Sequence, residues 1–218
     1  QRQMCIRDRA TDVLLKQDET LTPQQRRELL QSINEEAKWL MRVSENLLSI
    51  TRIDGENAGV KKTPELVEEI IEGAVSKFLR HYQGIAVQVH LPEEPMLVPM
   101  DPLLMQQVLF NLMENAARHG ETVKQIDISL YQKEDKAILE VADDGVGIAH
   151  SRLEHLFDGT LHPEEGREDA RRDMGIGLSV CRTIVVAHGG SITASNQKNG
   201  GALFRIALPM EKEETHEN

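Results

Sequence analysis

The chain has 218 residues, with 36 acidic and 25 basic side chains and a formal net charge of −11. That negative surplus excludes nonspecific nucleic-acid binding, which needs a basic surface. Cys5 and Cys181 form no metal or redox spacing and fit a reducing, cytoplasmic setting. No apolar run reaches the ~20 residues that span a bilayer.

Such a length suits one ordinary domain with an extra element, or two small domains. Residues 1–9 lack periodicity and read as a foreign or disordered end. Ala10 to Lys16 look like the tail of a helix, and Gln17 to Leu21 form a polar turn. A strong helix follows, with Thr22 as N-cap, Pro23 at the first helical position and Gln25 completing a capping box. Leu30, Ile33, Ala37, Leu40, Ser44, Leu47 and Thr51 recur at three and four residues as a heptad-like seam. The helix ends at Ile53-Asp54-Gly55. Residues 10–56 therefore read as an antiparallel hairpin whose stripe is either bundle core or a dimer seam. Gly55 to Lys62 is a polar linker and the expected domain boundary. Its glycines and lysines have the wrong spacing for a P-loop and follow a helix rather than a strand.

From Thr63-Pro64 an amphipathic helix is expected to run to about Tyr82, with Leu66, Ile70, Ala74 and Phe78 on one face. Ile85 to Leu91 alternates as a strand, and Met96 to Met100 is extended. Asp101-Pro102 opens another helix that continues through Arg118 and stops at Gly120. Ile126 to Gln132 and Lys136 to Val141 pair as antiparallel strands. Asp158 to Asp173 is charged and loop-like. Gly177 to His188 is an apolar helix closed by Gly189-Gly190. Two last strands, Ser191 to Ser195 and Ala202 to Leu208, flank Asn199-Gly200-Gly201. The tail, 211–218, is acidic and expected to be disordered. This order indicates an α+β fold, a two-layer α/β sandwich with a mixed, mostly antiparallel sheet.

Three stretches carry chemistry. In Asp143-Asp144-Gly145-Val146-Gly147-Ile148 the strand breaks at Asp143, the first polar residue after it, and two glycines let a ligand approach the main chain. A carboxylate at the floor of such a pocket can accept from an exocyclic amine such as adenine's; a simple hairpin turn is the plain alternative. In the helix before it, Asn111 and Asn115 stand four apart on one face, and their amide oxygens suit Mg2+. Arg118, a turn beyond, can reach phosphate. Glu114 fits a solvated helix face and points away from the pair. In Asp173-Met174-Gly175-Ile176-Gly177-Leu178-Ser179 a glycine-rich segment runs into a helix, an arrangement whose amides favour phosphates. Neither glycine pair completes a dinucleotide fingerprint.

In order and spacing these stretches resemble the G1, N and G2 boxes of the sensor histidine kinase ATP-binding domain, of the fold shared with gyrase, Hsp90 and MutL. Leu156-Phe157 looks like the start of the F box and Gly200-Gly201-Ala202-Leu203-Phe204 like the final glycine box. The resemblance covers about residues 10 to 209. Leu47 to Ile53 and Cys181 to Gly190 look closest to the Kdp-type (KdpD-like) osmosensitive potassium sensor branch. It implies a catalytic ATP-binding domain over 57–210, with Asp143 on the adenine amine and Gly145, Gly147 and Ile148 shaping its pocket. Asn115 would hold Mg2+ with Asn111 beside it, Arg118 and His119 would lie near phosphates and ribose, and Gly175, Gly177, Leu178 and Ser179 would border the triphosphate. Residues 158–174 become the ATP lid.

The fold's ATPases place a water-activating Glu where this chain has Asn111. Asn cannot act as a general base, which favours phosphoryl transfer to a protein over hydrolysis. An ATPase or Ser/Thr kinase of the same fold, and a nonenzymatic dimerisation module, are the rival readings. The resemblance implies a response-regulator receiver domain as partner, a homodimer through the hairpin, and a cytoplasmic location with the full-length protein anchored in the membrane. Two features depart from the pattern. Phe157 is followed by Asp158-Gly159-Thr160 in place of the F box's second aromatic. None of the eight histidines lies in the acceptor pattern, so the acceptor is expected at or before residue 1.

Overall fold

The computed structural model describes residues 21–53, 60–120, 122–158 and 176–210. The expected end at 1–9, the first hairpin helix, the boundary at 56/57, most of the lid, Gly175 and the acidic tail lie outside those residues. The chain divides into two compact units at Leu48/Ser49.

Helix α1 spans Pro23–Ile53. Its capping box forms as expected: Thr22 N–H donates to Gln25 Oε1 at 3.0 Å, and Gln25 N–H donates to Thr22 Oγ1 at 3.3 Å. The expected seam is mostly uncovered, with Leu30, Ala37, Leu40, Ser44, Leu47 and Thr51 exposed and Ile33 half-buried. Another side of the helix is sheltered instead, with Asn46 and Ser49 buried and Trp39 and Val43 half-buried.

Thr63-Pro64 does not open the expected helix. Thr63–Leu66 is a strand, β1, and helix α2 runs only over Val67–His81. Thr-Pro is a good helix-start signal, but Leu97–Met100 (β3) offers this segment an antiparallel partner. Pro64 faces Pro99 across the pair. Two residues lacking N–H groups suit a position where the ladder needs no donors.

The remaining strands are β2 (Ala86–His90), β4 (Gln125–Lys133), β5 (Lys136–Asp143), β6 (Ser191–Asn196) and β7 (Ala202–Pro209). They form a five-stranded sheet in the order β2-β4-β5-β7-β6, parallel only between β2 and β4. Helices α3 (Pro102–His119), α4 (His150–Leu153) and α5 (Ile176–Ala187) complete the elements of the described residues. The expected fold class holds. Ile126, Ile128, Leu139, Val141, Phe204 and Ile206 alternate inward and share one core with Ile71, Phe78, Val108, Leu112 and Ile184 of α2, α3 and α5. Side chains of period two meet side chains of period 3.6, burying one face of the sheet against one stripe of each helix.

Two residues secure the start of α3. Asp101 Oδ1 accepts from Leu103 N–H at 2.9 Å and Leu104 N–H at 3.0 Å, and Pro102 occupies the first turn. His188, just past α5, bridges the two helices. It is buried, its Nδ1 donates to the Ile184 carbonyl at 2.7 Å, and its Nε2 accepts from Asp101 N–H at 3.0 Å. This arrangement requires the neutral ring. Burial, the largest cause, holds its pKa below the ordinary 6.5; nearby Lys62 pushes the same way, while the Ile184 bond and Asp101 oppose. The unfolded chain therefore takes up a proton first as pH falls. Stability from this site is full above 6.5 and declines below it, by at most about 1.4 kcal/mol per pH unit. Urea titrations at pH 7.5 and 5.5 should show that loss, and His188→Gln, which keeps an acceptor without a titrating ring, should lose less.

Candidate functional site

Two contacts join the elements that carry the expected residues: the turn after β5 packs on the end of α3 at Gly145 and Gly120, and the middle of α3 is tied to the start of α5 through Asn111 and Gly177. Asp143 is the last residue of β5 and is 5% exposed. Its Oδ1 accepts from Gly145 N–H at 2.9 Å and Ala202 N–H at 3.2 Å. Oδ2 takes no hydrogen bond from the described residues, which leaves an acceptor for a donor from outside. A hairpin turn alone would not bury a carboxylate this deeply with one oxygen committed.

The glycines beside it have distinct reasons. A Cβ on Gly145 would stand 2.7 Å from the Gly120 carbonyl oxygen and 2.8 Å from Gly120 Cα, so this turn packs directly on the end of α3. Gly201 has φ +87°, and a Cβ there would overlap the Asp143 carbonyl oxygen. Asp144 does separate work. Its Oδ1 accepts from Lys124 N–H at 2.9 Å and Gln125 N–H at 3.1 Å. Those bonds, the one from Gln125 foremost, hold its carboxyl below the ordinary range.

On α3, Asn111 is buried and Asn115 half-buried, as two residues on one inward face require. Asn111 has polar partners at both ends of its amide. Its Oδ1 accepts from Gln107 Nε2 at 2.8 Å, and its Nδ2 donates to the Gly177 carbonyl at 3.5 Å. Asn111 thus ties α3 to the first turn of α5. Glu114 contradicts the expectation of a solvated face: it is buried, and Tyr82 Oη donates to its Oε1 at 2.6 Å. Tyr82 in turn stacks on Phe78 at 4.8 Å between centroids. Arg118 is exposed at the end of α3; the side chain of His119 is outside the described set.

At the start of α5, Leu178 is buried in the core, while Gly177 and Ser179 are half-buried. A Cβ on Gly177 would meet no described atom within 4 Å. Cys181, one turn on, is buried, with its Sγ donating to the Val108 carbonyl at 3.8 Å. Burial pushes its thiol up to about 12, so it is inert as a nucleophile. Phe157, the one aromatic of the shortened F box, packs edge-on against Phe204 at 6.5 Å between centroids.

The sequence reading missed three contributors. Ala202 N–H reaches Asp143, Gln197 Nε2 donates to the Asp143 carbonyl at 2.8 Å, and Asn196 binds the backbone of Ile148. The local signals were the turn Asn199-Gly200-Gly201 and the glycine-box run through Ala202, which mark a hairpin but not its target.

The chain belongs to the histidine kinase-, DNA gyrase B- and HSP90-like ATPases, whose profile matches residues 100–212. Among its relatives is Sensor protein KdpD of Clostridium acetobutylicum, 37% identical over 202 residues, which cover 93% of this chain and 22% of that protein. Sensor protein KdpD of Escherichia coli K12 is 34% identical over 181 residues, covering 81% and 20%. Of solved structures, Acinetobacter baumannii histidine kinase AdeS matches with TM-score 0.67 at 20% identity over 96% of each chain, a likeness of fold alone. The expected resemblance to sensor histidine kinases of the Kdp type is borne out. The chain spans about a fifth of the length of these curated relatives.

Proposed function

We propose that this chain carries the ATP-binding catalytic unit of a sensor histidine kinase, with residues 10–56 contributing to a dimerisation hairpin and 57–210 forming the catalytic domain. The observation that carries the reading is Asp143, with Oδ1 committed to two backbone N–H groups and Oδ2 left to accept from the adenine amine. Gly145, Gly147 and Ile148 then line the base, and Arg118, His119, Gly175, Gly177, Leu178 and Ser179 flank ribose and phosphates.

Asn115 has the right chemistry for Mg2+: a neutral oxygen donor, one turn past Asn111, on a half-buried face where the ion would keep most of its waters. Asn111, already bonded at both ends of its amide, serves better as the strut to α5 than as a metal ligand. The metal, when bound, neutralises charge on the β- and γ-phosphates. In the transfer, the bond from the γ-phosphorus to the bridging oxygen breaks, a phosphorus–nitrogen bond to an acceptor imidazole forms, and ADP departs. A response-regulator aspartate then takes the phosphoryl group. No group at Asn111 can draw a proton from water, which favours transfer over hydrolysis.

The uncovered stripe on α1 is the surface for a second copy of the chain, and the protein works on the cytoplasmic side of a membrane that anchors the full-length form. Among the described residues no helix is long and apolar enough to cross one.

Because none of the eight histidines sits in the acceptor pattern, this chain should bind Mg-ATP without labelling itself. Given a separate hairpin protein with an acceptor histidine, it should place acid-labile 32P on it. Steady release of free phosphate, or acid-stable label on serine or threonine, would instead identify an ATPase or Ser/Thr kinase. Absence of adenine-nucleotide binding at millimolar concentration would leave a dimerisation module.

A further inference from the structure

We propose that Asn196 is a positioning residue for the adenine pocket: its side-chain amide clamps the glycine turn after Asp143 to the β6–β7 hairpin. The inference rests on the nucleotide-site reading above and adds to it a residue that need not touch the nucleotide.

Asn196 is the last residue of β6, beyond which the chain turns through 197–201 into β7. Its Oδ1 accepts from Ile148 N–H at 2.7 Å, and its Nδ2 donates to the Ile148 carbonyl at 2.7 Å. One amide thus satisfies both backbone groups of a single residue, as a neighbouring strand would. The contact is close enough that a Cβ on Gly147, which has φ +79°, would stand 2.8 Å from Asn196 Oδ1. Gln197 extends the clasp, its Nε2 donating to the Asp143 carbonyl, and Gln197 N–H donates to the Gly201 carbonyl at 2.9 Å. The hairpin tip therefore holds the turn at both ends, at Asp143 and at Ile148.

Between those ends lie Asp144, which Lys124 and Gln125 hold, and then Gly145, Val146 and Gly147, with Val146 exposed. Two glycines make this stretch costly to order, because glycine loses the most conformational freedom. Fixing Ile148 in the free protein removes part of that cost from nucleotide binding, the general benefit of preorganisation. Only an amide fits the position. Aspartate keeps the acceptor for Ile148 N–H but sets a carboxylate oxygen against the Ile148 carbonyl, and alanine loses both bonds.

The test compares Asn196→Ala and Asn196→Asp with the unaltered protein, measuring ADP and adenosine binding by calorimetry or NMR titration. Both variants should bind about ten-fold more weakly, by a similar factor for ADP and adenosine because the effect lies on the base side. Urea midpoints should stay close to that of the unaltered protein, since Asn196 is exposed, and the Ile148 amide should lose hydrogen-exchange protection. If the unaltered protein binds neither ligand, the nucleotide reading fails and this inference falls with it. If it binds both and the variants match it, or if only ADP is weakened, the positioning role alone is overturned. Should either variant unfold, the other, with Gln197→Ala, supplies the same comparison.

Discussion

Replacing Asp143 by asparagine is expected to raise the dissociation constant for ATP by one to two orders of magnitude while leaving the fold intact. The two N–H groups of Gly145 and Ala202 dictate which side-chain atom points at them, so the asparagine oxygen must occupy the place of Oδ1. Its NH2 then falls where Oδ2 was. An acceptor for the adenine amine becomes a donor facing a donor. A hydrogen bond to a charged group contributes about 1.5–3 kcal/mol, which converts to roughly ten- to hundred-fold in affinity. Calorimetry with Mg-ATP measures the change, and thermal unfolding checks that the internal bonds survive. Affinity equal to that of the unaltered protein would remove Asp143 from the pocket.

The second large effect is expected at Gly201. Gly200 and Gly201 both have left-handed backbones, φ +96° and +87°, yet their surroundings differ. A Cβ on Gly200 would meet only the Gly145 carbonyl oxygen, at 3.5 Å, whereas one on Gly201 would overlap the Asp143 carbonyl. Gly200→Ala should therefore cost about 1–2 kcal/mol, the left-handed penalty alone. Gly201→Ala adds a clash with main chain that no rotamer relieves, of about 1–3 kcal/mol or more. It should also weaken nucleotide binding, because the clash moves Asp143. Urea denaturation of both variants gives the difference; equal costs would mean that the backbones at 201 and 143 are not in close contact.

Much of the site was legible beforehand. The positions of Asp143, Asn111, Asn115 and Gly177 in the chain, with the strand and helix signals around them, put a carboxylate at a strand end, two amides on one helix and a glycine at a helix start, as the structure has them. Other features were not legible, since they depend on partners distant in sequence. Thr63-Pro64 carries a helix-start signal, and only its pairing with Leu97–Met100 makes it a strand. Glu114 looks like any exposed helix glutamate until Tyr82, 32 residues earlier, reaches it. Asn196 and Gln197 sit in a polar turn like many others, and their ties to Ile148 and Asp143 span some fifty residues.

By itself the sequence determined most of the elements and their kinds, Thr63–Leu66 excepted, because capping residues, alternation and glycine positions act within a few residues of one another. Thr22 and Gln25, Asp101 and Pro102, and the inward alternation of β4 and β5 are of that sort. Only the tertiary structure decided which oxygen of Asp143 stays open, which amide serves as a strut and which hairpin holds the glycine turn. Those choices follow from a rule that a linear reading cannot apply: a buried polar atom takes the partner that the packed chain brings within about 3 Å.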